Sequence, residues 1–298
     1  MDAVKPRIAL VTCKRLREPD HDARPMRRAF RALGVEPVFA AWDDPSMDWG
    51  AFDLAVIRST WNYIHHLPAF LAWAKGAARS TRLMNPYSFI RWNSDKRYLA
   101  RLAREGVRVV PTVYVSKGRG GNIPRGWDDV VIKPRVGSGS FLTRRFGDRK
   151  KAEAFLRKAA ASRDMMIQPY VRSVETRGER SFVWIGGAIT HVIRKSPRLH
   201  GHAESVTANH RIESDERRFA LKVLAPYRRA LLYARVDAAR DDRGRLMLME
   251  LELIEPSLFL RENPAACRRF ARACARSARG VKRLEAAQRV DKRRRRRR

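Results

Sequence analysis

Two short segments near the C-terminal end, Tyr233–Asp237 and Leu248–Glu252, carry charged residues at alternate positions. Alternate residues of a β-strand point to the same face, so a hairpin of these segments would place Asp237, Glu250 and Glu252 together. Three carboxylates buried without a partner are very costly. Mg²⁺ takes oxygen ligands and usually bridges to a nucleotide phosphate, so it would remove that cost. The pattern therefore predicts a magnesium site, with ordinary charge on a solvent-facing strand as the alternative.

The residues between these segments determine how the two strands would pair. Asp241–Gly244 reads as a tight turn, and a two-residue loop within it would place Asp237 opposite Leu248. Arg235 precedes Asp237 by two positions and therefore shares its face. The expected site holds one guanidinium group beside the three carboxylates.

The first part of the chain alternates predicted strands with predicted helices. The strands are expected at residues 7–12, 35–41, 52–58 and 83–85, and the helices at residues 24–33 and 68–78. This order predicts a parallel sheet covered by helices, in which ligands bind beyond the carboxyl ends of the strands. A polar cluster after the third strand is therefore predicted to contact a ligand, with a capping turn as the alternative. The cluster consists of Arg58, Ser59, Thr60, Trp61, Asn62 and Tyr63.

Two lysines lie where they could contact an anion. Lys96 falls in the first turn of a helix that Asn93 or Ser94 would cap, and the helix dipole there disfavours a cation unless an anion is near. Lys133 ends an apolar strand that leads to the small-residue loop Gly137–Ser140. An ammonium group beside the backbone N–H groups of such a loop is typical of phosphate binding, and a plain hairpin turn is the alternative.

The composition indicates the class of protein. The 298 residues, of which 44% are hydrophobic, can form two or three domains, and no apolar run is long enough for a transmembrane helix. The three cysteines lack metal-binding spacing, and their odd number, together with the absence of a signal peptide, predicts a cytoplasmic protein. Cys267 and Cys274 lie on the apolar stripe of a helix predicted at 262–280, so both are expected in the core.

The net charge of +33 has two interpretations. One is a nucleic-acid-binding surface. The other is a compositional drift toward arginine, which is favoured because the basic residues are scattered and no nucleic-acid-binding module is recognised. Nucleic-acid binding is therefore expected to be weak and nonspecific. The segment 282–298 ends in a run of arginines whose mutual repulsion predicts disorder.

Taken in order, the motifs resemble those of the ATP-grasp superfamily of carboxylate–amine ligases. The resemblance covers about residues 90–262 and rests on order and spacing more than on any single motif. The motifs are Lys96, Ile132–Pro134 with the loop after it, Ile167–Tyr170, Gly178–Arg180, Arg235–Asp237 and Glu250–Glu252. More narrowly, the chain is similar to the cyclo-ligases of the D-cycloserine pathway and their relatives. The segments that carry this likeness are Arg58–Tyr63, Arg91–Lys96 and Glu250–Leu258.

The resemblance implies an α/β (α+β) protein with the ATP-grasp fold behind an N-terminal Rossmann-like domain. The expected units are an N-terminal substrate domain at 1–92, a central ATP-grasp subdomain with a phosphate lid at 93–170, a C-terminal subdomain with the metal site at 171–281, and a disordered basic tail at 282–298. Many members of the superfamily end the metal motif with Glu-x-Asn, whereas this chain has a glutamate at position 252. Magnesium tolerates that change.

The resemblance also implies roles for individual residues. The implied contacts of ATP are Lys96 and Lys133 at the phosphates, Gly137, Ser138, Gly139 and Ser140 as a mobile lid, Gln168, Tyr170 and Val171 at the adenine, and Glu175 or Glu179 at the ribose. The implied metal ligands are Asp237, Glu250 and Glu252, for Mg²⁺ or for Mn²⁺ in its place. Arg235 would stabilise the transferring phosphate, and Lys195 would act beside it. The implied substrate contacts are Arg58, Ser59, Thr60, Trp61, Asn62, Arg194 and Ser257.

The implied function is an ATP- and magnesium-dependent ligase. It would activate a small amino-acid-like carboxylate as an acyl phosphate, which an amine-type nucleophile of the same or another molecule attacks. One alternative is an amino-acid or peptide ligase acting on a longer acceptor. The other is a basic nucleic-acid-binding protein on a degenerate ATP-grasp scaffold. No membrane partner is expected, and the sequence is compatible with a homo-oligomer.

Overall fold

The computed structural model describes residues 5–16, 19–196, 206–208 and 210–295, and side chains as far as residue 280. The strands are β1 (Ile8–Thr12), β2 (Pro37–Ala41), β3 (Leu54–Ser59), β4 (Leu83–Met84), β5 (Val113–Val115), β6 (Val130–Pro134), β7 (Arg144–Phe146), β8 (Met165–Pro169), β9 (Glu179–Ile185), β10 (Ala188–Lys195), β11 (Val206–Thr207), β12 (Tyr233–Arg240) and β13 (Leu246–Glu252). The helices are α1 (Ala23–Arg31), α2 (Leu67–Ser80), α3 (Tyr87–Asn93), α4 (Tyr98–Arg104), α5 (Arg149–Ala160), α6 (Ser173–Thr176), α7 (Ser214–Leu224) and α8 (Pro264–Arg295). Short 3-10 turns cover Trp49–Ala51 and Trp61–His65.

The first four strands form the predicted parallel sheet. Its order is β2-β1-β3-β4, and every pairing is parallel. Alternate side chains of β1 pack on opposite faces, with Ile8 and Leu10 against α1 and α8 and with Ala9 and Val11 against α2. Both faces are therefore covered. β3 ends at Ser59, so Arg58 and Ser59 are its last two residues and the rest of the polar cluster follows the carboxyl end of the strand, where the sequence predicts it.

Two antiparallel sheets carry the remaining motifs. The sheet of order β5-β8-β6-β7 packs on α5 and carries Lys133 and Gln168. The sheet of order β11-β10-β9-β12-β13 packs on α4 and α7 and carries the acidic hairpin. Each of the three expected ordered units thus contains one sheet, while their exact limits stay a prediction. Helix α8 leaves its own unit to pack against the first sheet.

The turn of the β12–β13 hairpin differs from the expected one. The N–H group of Asp241 donates to the carbonyl of Arg245 at 2.8 Å, so the loop has three residues and not two. Gly244 adopts φ +74°, the left-handed conformation that a three-residue hairpin loop requires at this position. The extra loop residue changes the pairing of the whole hairpin.

A β-bulge changes the pairing again beside the acidic residues. The register shifts between Asp237 and Ala238, so Asp237 lies opposite Glu250 and not opposite Leu248 as predicted. Leu248 pairs with Ala238 and joins the same apolar core as Leu251. The leucines of β13 lie at even positions before the bulge and at odd positions after it. The extra residue of the bulge therefore keeps them all on one face of the sheet and the carboxylates on the other.

The helix expected around Lys96 begins later than predicted. Asn93 is the last residue of α3 and Tyr98 is the first of α4, so Lys96 lies in the turn between them. The amide of Asn93 instead bridges β13, where Nδ2 donates to the Leu251 carbonyl at 2.7 Å and Oδ1 accepts from the Leu253 N–H at 2.8 Å. Because the side chain is used there, it does not cap a helix. The helix-dipole argument for Lys96 is therefore wrong.

Helix α8 is longer than predicted. It continues to Arg295, through most of the segment for which the arginine run predicts disorder. Most residues of the extension 281–295 are arginine, lysine, alanine, leucine, glutamine or glutamate, which have high helix propensity. Residues 296–298 lie outside the described part of the chain. Cys267 and Cys274 are buried in the core as predicted. Within the described residues, no helix combines the length and the apolar character needed to span a membrane.

Candidate active site

Residues from all three sheets line one cavity of about 470 Å³. Most of the predicted site residues are among them. These are Trp61, Asn62, Lys96, Lys133, Gly137, Ser138, Gly139, Ser140, Gln168, Tyr170, Val171, Glu179, Lys195, Arg235, Asp237, Glu250, Glu252 and Ser257. The predicted residues that do not line the cavity are Arg58, Ser59, Thr60, Glu175 and Arg194.

Asp237 is the centre of a buried ion-pair network. Its side chain is 1% exposed and accepts hydrogen bonds from Arg235 Nη2 at 2.8 Å and from Lys195 Nζ at 3.0 Å. Burial raises the pKa of a carboxyl group, but the two cations outweigh this effect and hold the pKa of Asp237 far below its usual range. Asp237 is therefore ionised at all ordinary pH values, and its charge is already compensated.

Glu250 and Glu252 are more accessible from the cavity, with side chains that are each 25% exposed. Glu250 pairs with Lys96 at 3.1 Å, and Lys96 also donates to the carbonyl of Gly137 in the predicted lid at 2.6 Å. Burial raises the pKa of Glu250, but the nearby lysines outweigh burial and lower it. Glu252 pairs with Arg235, which offsets burial only in part, so the pKa of Glu252 is raised.

Two further lysines complete the positive side of the cavity. Lys195 lies 3.0 Å from Asp237 and 2.5 Å from Glu179, and although burial lowers its pKa, these carboxylates raise it overall. Lys133 has no described carboxylate within 4.0 Å of its ammonium nitrogen. Burial lowers the pKa of Lys133 and, together with the charge of Lys96, outweighs the opposing charge of Glu250. Lys133 is thus a cation whose charge is left for a ligand.

The end of β8 forms the wall for which adenine contacts are predicted. Gln168 is buried and donates through Nε2 to the Thr112 hydroxyl at 2.9 Å. The guanidinium carbon of Arg145 lies 3.5 Å from the centre of the Tyr170 ring, and Arg145 pairs with Glu175 at 2.6 Å. Glu175 is therefore ion-paired with Arg145 next to Tyr170 and does not line the cavity. Glu179, the other predicted ribose ligand, does line it.

Only the second half of the polar cluster after β3 reaches the cavity. Trp61 and Asn62 line it. The Asn62 amide is held in place, because it accepts from Trp42 Nε1 and donates to Asp43 Oδ2, each at 2.8 Å. Arg194, also predicted to contact substrate, donates to two backbone carbonyls before β9.

The first half of the cluster is buried behind the cavity wall. Arg58 donates through Nη2 to the Pro256 carbonyl at 3.1 Å, and the Ser59 hydroxyl donates to the Thr12 hydroxyl at 3.1 Å. The Thr60 hydroxyl has no hydrogen-bond partner among the described residues. Arg58 and Ser59 thus hold neighbouring segments of the site together, and the positions of all three residues argue against direct contact with a substrate.

The carboxylates fit a magnesium ion in part. In the described ranges no three acidic, histidine or cysteine side chains are grouped to hold a metal ion. Asp237 is in addition engaged by Arg235 and Lys195. Glu250 and Glu252 remain, with side chains that reach the cavity. Two carboxylates completed by phosphate oxygens and water are a ligand set that Mg²⁺ accepts. All three carboxylates line the cavity, but Asp237 is ion-paired with Arg235 and Lys195, so the structure favours Glu250 and Glu252 as the more available ligands.

Glu255 lines the same cavity, although the sequence pattern does not single it out. Its side chain is 6% exposed, and burial raises its pKa to about 7. The only signal in the sequence is its position between two predicted site residues, Glu252 and Ser257. Tyr63 also lines the cavity, and its ring packs on Phe70 in the core of the first unit.

Comparisons with known proteins agree with this arrangement over most of the chain. The sequence profile described as D-cycloserine synthetase DcsG, N-terminal domain, matches residues 8–85. The cycloserine biosynthesis protein DcsG of Streptomyces lavendulae is 33% identical over 293 residues, which cover 90% of this chain and 97% of that protein. The crystal structure of D-cycloserine synthetase DcsG matches with a TM-score of 0.83 at 30% identity, over 91% of this chain and 99% of the other.

More distant structures show the same fold. The D-alanine–D-alanine ligase of Bacillus anthracis, solved with ATP, has a TM-score of 0.63 at 15% identity and covers 94% of this chain and 99% of its own. The ATP-grasp ligase PsnB, solved with a precursor variant, Mg and ADP, has a TM-score of 0.64 at 16% identity, over 91% and 98% of the two chains. At these identities the likeness shows the fold alone, and that fold is the one predicted from the motifs.

Proposed function

Since this chain is an ATP-grasp ligase that belongs to the family of the D-cycloserine synthetase DcsG, we propose that it forms a C–N bond within a small amino-acid-like carboxylate at the expense of ATP. The observation that carries the proposal is the arrangement of charge in the cavity. The unpaired ammonium group of Lys133 and the lid-contacting Lys96 lie beside the cavity-facing carboxylates of Glu250 and Glu252. This combination suits a triphosphate together with a divalent cation.

The chemistry follows from the product that the family name indicates. We take the substrate to be the ring-opened form of D-cycloserine, D-β-aminooxyalanine, whose ring closes through one new bond between its carboxyl carbon and its aminooxy nitrogen. A carboxylate is a poor acyl donor, so its oxygen first attacks the γ-phosphate of ATP, which gives an acyl phosphate and ADP. The aminooxy nitrogen then attacks the acyl carbon, phosphate leaves with the bonding electrons, and the nitrogen loses a proton. No nucleophilic residue of the protein is needed for either step.

The residues of the cavity divide this work by position. Lys96 and Lys133 bind phosphate oxygens, and the lid Gly137–Ser140 covers them because Lys96 already holds the Gly137 carbonyl. Arg235, fixed by Asp237, offers a guanidinium group to the transferring phosphate. Pre-positioned cations of this kind stabilise charge as it develops, without reorganisation during the reaction.

Mg²⁺ would be held by Glu250 and Glu252 and would neutralise charge between the β- and γ-phosphates. Asp237 remains a predicted third ligand, which would first exchange its ion pairs with Arg235 and Lys195. Mn²⁺, which shares a preference for oxygen ligands, is proposed as a substitute. We propose a cytoplasmic location, which the three free cysteines favour.

Trp61→Ala is expected to weaken the binding of the carboxylate substrate more than the binding of the nucleotide. Trp61 lies beyond the carboxyl end of β3 and lines the cavity from the first sheet. Of the proposed phosphate residues, Lys133 lies on β6 and Lys96 lies in the turn before α4. We expect the KM for substrate to rise by roughly 10-fold or more, which is the loss expected when a buried aromatic contact is removed. The KM for ATP should change by less than about 2-fold. Steady-state ADP release checks both values, and an effect confined to ATP would contradict the placement of Trp61.

The proposed function is tested by incubating the protein with ATP, Mg²⁺ and D-β-aminooxyalanine. ADP release and D-cycloserine, detected by mass spectrometry, are expected to appear in equal amounts, and both should require Mg²⁺. The L enantiomer and a reaction without magnesium are the matched controls. ADP release that is the same with and without D-β-aminooxyalanine would contradict the proposal. So would the joining of two substrate molecules in place of ring closure.

A further inference from the structure

Glu255 differs from the other buried acidic side chains of the described residues. Three of them have a basic partner within 4.0 Å: Asp22 with Arg58, Glu216 with Arg180, and Asp237 with Arg235. Glu255, at 6% exposed, has none among the described residues, although lysines and arginines outnumber acidic residues 64 to 31 in the chain. A buried carboxylate without a cation is costly, so its retention requires a reason.

Nearby cations are already engaged elsewhere. Lys96, whose charge reaches Glu255, donates to Gly137 and pairs with Glu250. The groups that oppose the raised pKa of Glu255 are, in order, the side chain of Ser138 in the lid, the charge of Lys96 and its own backbone. Ser138 is neutral, so the ionised form of Glu255 has no charged partner within 4.0 Å among the described residues. A cation from outside the protein would compensate it.

The backbone around Glu255 is fixed on both sides. The backbone carbonyls of residues 253, 254, 256, 257 and 258 each accept a hydrogen bond from a side chain elsewhere in the fold. The donors are Asn85 to Leu253 at 2.8 Å, Tyr233 to Ile254 at 2.7 Å, Arg58 to Pro256 at 3.1 Å, Arg235 to Ser257 at 3.2 Å and His191 to Leu258 at 3.1 Å. Such bracing holds one side chain in a defined position toward the cavity, as binding sites require.

We propose that Glu255 binds the protonated amine of the substrate, the group that D-cycloserine keeps outside its ring. The assignment rests on the proposed function and adds to it that the substrate carries a cation as well as its reacting carboxylate. Trp61 and Tyr63 line the same cavity and offer aromatic surface of the kind that ammonium groups also favour. Ser138, a residue of the lid, also lies beside this carboxylate.

The experiment compares two carboxylates, D-β-aminooxyalanine and its counterpart without the α-amine, β-aminooxypropionic acid. A charge-assisted hydrogen bond contributes enough for the wild-type protein to prefer the amine-bearing compound by roughly 10- to 100-fold in kcat/KM for ADP release. Glu255→Gln keeps the shape of the side chain and is expected to lose that preference. Its kcat/KM should fall with D-β-aminooxyalanine and stay unchanged with β-aminooxypropionic acid. Glu262→Gln, an exposed acid outside the cavity, is the control and should keep the preference.

The possible outcomes distinguish a failure of the role proposed for Glu255 from a failure of the proposed function. Wild-type protein that turns over both compounds equally, or Glu255→Gln protein that keeps the full preference, would overturn the role of Glu255. So would a variant that slows both compounds to the same extent. Wild-type protein that releases no ADP with D-β-aminooxyalanine would instead contradict the proposed function, and the subsite with it. Retained thermal stabilisation by ATP and Mg²⁺ establishes that the Glu255→Gln variant is folded.

Discussion

Lys133→Ala is expected to lower kcat/KM for ATP by roughly 100- to 1000-fold, the loss typical of one fixed charge-stabilising donor. The ammonium group of Lys133 has no described carboxylate within 4.0 Å, and burial lowers its pKa. Its charge therefore serves a ligand more than the fold. Because a desolvated and unpaired cation is removed, the melting temperature should stay the same or rise.

Lys75→Ala is the matched control for this variant. Lys75 is an exposed residue of α2, outside the cavity, so both activity and stability should remain at the wild-type level. ADP release and thermal unfolding are measured on all three proteins. Full activity in Lys133→Ala would show that the phosphates do not bind at the end of β6.

Arg235→Gln is expected to lose both activity and stability. Arg235 supplies most of the hydrogen bonds to Asp237 and also pairs with Glu252, so its removal leaves buried carboxylates without their main partner. Breaking such a pair from one side costs about 3–5 kcal/mol of unfolding free energy. Without the guanidinium at the transferring phosphate, kcat should fall by roughly 1000-fold.

The double variant Arg235→Gln/Asp237→Asn separates these two losses. Removing the charge of Asp237 relieves the uncompensated anion, so part of the unfolding free energy should return. Activity should not return, because the phosphate still lacks its cation. Urea unfolding and ADP release measure the two properties. A single variant Arg235→Gln with wild-type stability would show that Lys195 alone compensates Asp237.

The fold could be read from the sequence where a local pattern decides the structure. Apolar strands such as β1 and β3, separated by amphipathic helices, predict the parallel sheet that forms. The register of the acidic hairpin could not be read in the same way, since it depends on a three-residue turn and a bulge. One signal was present: leucines occupy 246 and 248 but then 251 and 253, and this change of parity requires an extra residue in the strand.

The site could be predicted where charged residues follow strands, and not where tertiary contacts decide which side chain reaches the cavity. Lys133 lies at its predicted place because the strand before it is apolar and the loop after it is small. Arg58 and Asn93 have the polarity of ligand-binding or capping residues, but each is used to hold the backbone of a distant segment. The role proposed for Glu255 follows from its lack of a basic partner among the described residues, which no pattern along the chain can show.

The measurement that tests the central claim most directly is thermal stabilisation by ATP, with and without Mg²⁺, at moderate salt. The wild-type protein is compared with Glu250→Gln/Glu252→Gln, and pyrophosphate reports nonspecific anion binding. The proposed site predicts a magnesium-dependent rise in melting temperature with ATP in the wild type, and little or none in the variant. Equal shifts with ATP and pyrophosphate, unaffected by magnesium and by the two substitutions, would contradict it. They would show only that a protein with a net charge of +33 attracts anions.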